Sequence, residues 1–120
     1  MNHEVKDFQK DVIEKSFNKP VLVDFWAEWC APCKMFSPIF EKTQQKWGSD
    51  FVFAKVNTEE VPGISQALGV EGIPMLIFVK NKKEIGRQAG ALRRNQFEQL
   101  LQRAKSTSKN RSRNDNAMYS

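Results

Sequence analysis

Two cysteines, Cys30 and Cys33, are the only thiols in this 120-residue chain, and only Ala31 and Pro32 separate them. Two thiols at that spacing can close into a disulfide and reopen, passing two electrons by thiol–disulfide exchange. They follow a short apolar run and precede a helical pattern, so they fall where a strand hands over to a helix. The free N–H groups of a helix start, with the dipole behind them, favour negative charge and hence a thiolate. Pro32 suits the first helical turn, where its missing donor costs nothing. Cys30, beside the exposed turn, is assigned the attacking thiolate, and Cys33, one turn inside the helix, the resolving thiol.

Other uses of a cysteine pair fit less well. A zinc or iron–sulfur site needs about four ligands. The chain has two cysteines and one histidine, the distant His3, so only dimerisation could complete such a site. A structural staple over so small a loop would constrain the unfolded chain by only about 2 kcal/mol on the entropy model. A cysteine protease needs a partner base, and His3, read as a mobile surface residue, is a poor one. Two inert core thiols are the remaining alternative, and their position at a helix start argues against it.

Asp24 is the second unusual residue, an acid inside the run Val21, Leu22, Val23, Asp24, Phe25, Trp26. That run is otherwise written for a central strand covered on both faces. Desolvation raises the pKa of such an acid, making it a proton acceptor near neutrality. The alternative reading of Asp24 is a carboxylate paired with Lys55 from the neighbouring strand. The two readings are compatible, with Lys55 holding Asp24 while Asp24 exchanges a proton with Cys33.

The elements that must position these groups alternate in type, the pattern of an α/β layered domain. Val5, Phe8, Val12, Ile13 and Phe17 predict a first helix over residues 7–17. Phe36, Ile39, Phe40, Thr43 and Trp47 predict the helix after the cysteines, kinked between Lys34 and Pro38. A strand over 51–56, a short helix over 61–68, a strand over 75–79, a turn at 81–83 and an antiparallel strand over 84–89 follow. Phe97, Leu100, Leu101 and Ala104 make a final amphipathic helix. Trp47 is read as core. Met75 is left between packing and a place in a substrate groove.

One domain is expected from the length. The chain is 40% hydrophobic with nine Phe and three Trp, which supplies a core and excludes whole-chain disorder. No apolar run approaches the roughly 18 residues needed to span a bilayer. The first 20 residues mix charges of both signs and lack the pattern of a secretory leader, so a cytoplasmic protein is expected. Of the net charge of +5, residues 103–120 carry +4. Basicity therefore belongs to the tail, and residues 106–120 are expected to be disordered. Tyr119 is the tail's only aromatic, no stacking platform is interleaved, and nucleic-acid binding is not expected.

The stretch Asp24-Phe25-Trp26-Ala27-Glu28-Trp29-Cys30-Ala31-Pro32-Cys33-Lys34-Met35 resembles the active-site segment of thioredoxins. Pro38 is similar to the family's helix-kinking proline, Ala54-Lys55-Val56 to its buried-lysine strand, and Gly72-Ile73-Pro74 to its cis-proline loop. Ala89-Gly90-Ala91 is similar to its substrate-receiving patch. The likeness spans about residues 8–104. It implies an α/β fold of three layers, with a mixed four- to five-stranded sheet flanked by helices, in a domain over residues 1–105. Cys30, Cys33, Asp24 and Lys55 would be catalytic, and Trp29, Pro32, Gly72, Ile73, Pro74, Gly90 and Ala91 would meet substrate. Ile73 would offer its backbone, and the Ile73–Pro74 bond would be cis.

The resemblance further implies a monomeric reductase of protein disulfides with a redox-active Cys30–Cys33 pair and no bound cofactor. Electrons would come from NADPH through a separate thioredoxin reductase, since this chain lacks a Gly-rich dinucleotide fingerprint. Three departures stand out. Ala31 replaces the usual Gly and can shift the redox potential. The first edge strand is short or missing, and the hairpin turn Asn81-Lys82-Lys83 lacks its usual Gly. Two alternatives stay open: an oxidant or isomerase of the same fold in an oxidising compartment, and a non-catalytic binding or co-chaperone module.

Overall fold

The structure, a computed structural model, describes residues 3–110. Four strands form one mixed sheet in the order β2-β1-β3-β4, with β1 at Val21–Trp26, β2 at Val52–Asn57, β3 at Met75–Lys80 and β4 at Lys83–Ala89. β1 runs parallel to β2 and antiparallel to β3, and β4 returns antiparallel beside β3. Helices α1 (Ala31–Trp47), α2 (Pro62–Ala67) and α3 (Arg94–Asn110) complete the fold.

Strand alternation sorts the side chains onto two faces. Leu22, Phe53, Leu76 and Phe78 pack with Phe36 and Phe40 of α1 and with Phe97, Leu100 and Leu101 of α3. Val21, Val23, Phe25, Ala54, Val56 and Ile77 pack on the other face with Val5 and Val12. Phe36 and Phe40 meet Phe97 and Phe53 with ring centroids 5.1–6.2 Å apart, contacts worth about 0.5–1.5 kcal/mol each beyond burial. By the same alternation Asp24 and Lys55 lie on the α1 side, two charged groups inside an apolar layer.

Around this frame several expectations change. The first helix is a π-turn over Gln9–Ile13 followed by a 3-10 turn over Lys15–Phe17. Its end is tied to the hairpin, because buried Ser16 accepts from Lys82 N–H at 2.9 Å and its own carbonyl accepts from Asn81 N–H. The tightened turn leaves Phe17, expected in the core, 55% exposed. The first edge strand is reduced to one parallel bridge, Glu4 to Lys55. His3 is not a mobile surface residue: its side chain is buried, edge-on to Phe40 and 3.2 Å from Glu41 Oε1.

α1 continues through Pro38 without a break, and Pro38 is exposed. The hairpin turns on two residues, Asn81 and Lys82, both at positive φ, the geometry of a type I′ turn; Lys83 already belongs to β4. Trp47 is buried in the core, as is Met75, which settles its reading as packing. α3 extends to Asn110, past the boundary expected at residue 105, because Thr107 continues its buried stripe beyond Ala104. The rest of the basic tail, 111–120, lies outside the described residues.

Candidate active site

The dithiol sits at the junction of β1 and α1, and the two cysteines are joined as a disulfide with Cα atoms 5.3 Å apart. Cys30 is the N-cap of α1 in extended conformation, and its Sγ accepts from Cys33 N–H at 3.2 Å. Placing a side-chain acceptor on an otherwise orphaned helix N–H stabilises the helix start and favours negative charge on that sulfur. Pro32 occupies the first turn, as expected. Both sulfurs are packed with Ala27, Trp26 and Ile73.

A groove of about 520 Å³ opens beside the disulfide, lined by Trp29, Cys30, Pro32, Gly72 and Ile73 among others. Cys33 is not among its lining residues. Trp29 is 70% exposed at its rim, and Met35, at the end of the Asp24–Met35 stretch, is similarly exposed on α1. The Ile73 carbonyl lies 3.8 Å from Cys30 Sγ, and the Ile73–Pro74 bond is cis. Pro74 itself is buried, and its carbonyl accepts from Gly90 N–H at 2.9 Å. Gly90, at φ 88°, and Ala91 are exposed, and neither lines the groove. Thr58, Ser65, Val70 and Glu71 also line the groove. They come from a strand end, a short helix and a loop, and no local pattern marks them.

On β1, Asp24 is 1% exposed and its Oδ1 has no hydrogen-bond partner. Burial pushes its carboxyl up to about 7; Lys55 opposes this, and the carboxylates of Glu4 and Glu41 add to it. Glu4 is raised as well, first by its own burial, with Lys55 opposing.

The alternative reading, an ion pair between Asp24 and Lys55, is not what the structure shows. The two are register partners across β1 and β2, but the ammonium reaches on to α1. It donates to Ser37 Oγ at 3.0 Å, pairs with Glu41 Oε2 at 4.0 Å and lies 4.9 Å from the Trp26 ring centroid. Sequence reasoning missed Ser37 and Glu41. The signal was present, since Cys33, Ser37 and Glu41 follow at i, i+4 and i+8 along one stripe of α1.

No helix among the described residues is long and apolar enough to cross a membrane, and no group of three His, Cys, Asp or Glu there could hold a metal ion. The family model for thioredoxin matches residues 1–103. The chain is 44% identical over 87 residues to a putative thioredoxin 2 of Streptomyces coelicolor, covering 72% of this chain and 62% of that protein. It is 42% identical over 94 residues to a thioredoxin of Acidithiobacillus ferridurans, covering 78% and 85% of the two chains. With a thioredoxin of Borreliella burgdorferi it shares 38% identity over 99 residues, 81% and 84%. A dithiol capping a helix beside a cis-proline loop, in a chain with these relatives, belongs to the thioredoxin family, and the protein is a dithiol–disulfide oxidoreductase that reduces protein disulfides.

Proposed function

We propose that Cys30 is the nucleophile and Cys33 the resolving thiol, and the observation that carries this is that Cys30 lines the groove and Cys33 does not. In the reduced protein, Cys30 thiolate attacks one sulfur of a substrate disulfide, and the other substrate sulfur leaves as thiolate. Asp24 takes the Cys33 proton, and Cys33 thiolate attacks Cys30 sulfur. The second substrate sulfur leaves, and two electrons have passed to substrate as Cys30–Cys33 closes. Asp24 suits the task because its burial sets proton affinity near neutrality.

Trp29, Pro32, Gly72 and Ile73 line the path an extended substrate segment would take to Cys30, with the Ile73 backbone as its hydrogen-bonding edge and Pro74 fixing that loop. Gly90 and Ala91 extend the receiving surface beyond Pro74. Lys55 tunes Asp24 through its charge. By family likeness, an NADPH-dependent thioredoxin reductase returns the electrons, and the protein works as a monomeric electron carrier of the cytoplasm, where thiols are kept reduced. The test is the equilibrium of the Cys30/Cys33 pair with a glutathione series. A potential well below the cytosolic glutathione pool is expected; one well above it would make the protein an oxidant or isomerase.

A further inference from the structure

One cation, Lys55, lies among three carboxylates, Asp24, Glu41 and Glu4. The groups facing Asp24 are Lys55 from β2, Glu41 from α1 and Glu4 from the N-terminal segment. Those facing Glu41 are Lys55 at 4.0 Å and His3 at 3.2 Å, one on each carboxylate oxygen. Lys55 could pair with Asp24 or with Glu41, because its stem is flexible. A cation in direct contact would hold Asp24 as an anion and lower its pKa by about one to three units.

The observed arrangement favours Glu41. The Lys55 side chain is 10% exposed and that of Glu41 36%, so a pair formed there keeps part of its hydration, whereas one on Asp24 would be fully desolvated. Ser37 gives the ammonium a hydrogen bond on the same helix, and the Trp26 ring supports it from β1. The N-terminal segment approaches Glu41 from the other side. The N-terminal segment is pinned to the β2 edge by Lys55 N–H donating to His3 carbonyl and Val5 N–H donating to Lys55 carbonyl, both at 2.8 Å. That pairing sets the His3 imidazole between Phe40 and Glu41.

We propose that Glu41 is a positioning residue for the proton transfer at the dithiol: with Ser37 it holds the Lys55 ammonium against α1 and so leaves Asp24 free to take a proton. The proposal rests on the reading of Asp24 as the acceptor of the Cys33 proton.

The experiment is a carbon-detected titration of the Asp24 carboxyl in the oxidised full-length protein, for the parent, Glu41→Gln and Glu41→Ala. Glu41 is a half-exposed mid-helix position, so both substitutions keep the helix. Both should lower the Asp24 midpoint by about one unit, as Lys55 moves to Asp24. Removing the Glu41 charge acts in the same direction, so the series is repeated with Lys55→Gln. There the shift caused by Glu41→Gln should be less than half as large. An Asp24 midpoint unchanged by both substitutions, or a shift of the same size with and without Lys55, would overturn the proposal. The underlying reading fails separately: if Asp24→Asn exchanges disulfides with an unaltered pH profile, Asp24 is not the acceptor, whatever Glu41 does to its titration.

Discussion

Asp24 and Lys55 are register partners on adjacent parallel strands, yet Lys55 donates to Ser37 and pairs with Glu41, and Asp24 Oδ1 is left with no hydrogen bond. A buried acid without a partner is costly to ionise. For the proposed role of Asp24 as acceptor of the Cys33 proton, that cost sets the proton affinity near neutrality.

The first consequence is for stability. Asp24 ionises in the fold at about 7 against a usual 3.8, so the unfolded chain releases this proton first and folding loses stability as pH rises between those values. Below about pH 4 the group contributes nothing, and above about pH 7 the full penalty is present, at most about 4 kcal/mol. Asp24→Asn should therefore be more stable than the parent at pH 8 and equal to it at pH 4. Denaturant midpoints at the two pH values check this, and equal midpoints at pH 8 would contradict it.

The second is for rate. The acceptor works when ionised, so resolution of the mixed disulfide should accelerate as pH rises through about 7. Asp24→Asn should lose that limb and slow the step at pH 7.5 by about 100-fold. Stopped-flow fluorescence across pH 5.5–8.5 measures it. A parallel fall at every pH would point to damage of the fold instead.

Ser16 joins the first helical segment to the hairpin, accepting from Lys82 N–H and donating to Ile13 carbonyl at 2.6 Å. Ser16→Ala removes both bonds from a fully buried position. A loss of about 1–3 kcal/mol is expected by chemical denaturation. Full retention of stability would mean that the segment is not tied down at this point.

Lys82 holds φ 72° in the turn before β4, a conformation costing a non-glycine residue about 1 kcal/mol. Lys82→Gly keeps the N–H that Ser16 accepts. It should raise stability by up to about 1 kcal/mol, less the extra entropy of Gly in the unfolded chain. A lower melting temperature would count against the turn geometry.

Legibility followed the range of the interactions involved. Cys30, Pro32 and Cys33 could be read locally, because strand end, cap and first turn are one continuous stretch of chain. The alternation around Asp24 was equally plain, and its burial followed. The partner of Lys55 was hidden, because it depends on how α1 lies across the sheet and on which of two carboxylates is better solvated. His3 was misjudged for the same reason: nothing near it in sequence announces its pairing to Lys55 across the β2 edge. Phe17 fitted a helical period, and the Ser16 contacts with the hairpin overrode it. α3 was ended too early because Ser, Asn, Lys and Arg replace the apolar pattern from about residue 105, although Thr107 lies three residues beyond Ala104 on the buried stripe.

The division of labour between the two sulfurs is tested most directly by trapping. The Cys33→Ser and Cys30→Ser variants are each mixed with a peptide disulfide, and adducts are counted by intact mass. Cys33→Ser should accumulate a stable mixed disulfide on Cys30, the groove-lining sulfur, and Cys30→Ser should form almost none in the same time. An adduct on Cys33 in the Cys30→Ser variant, formed as fast as the other, would contradict the account.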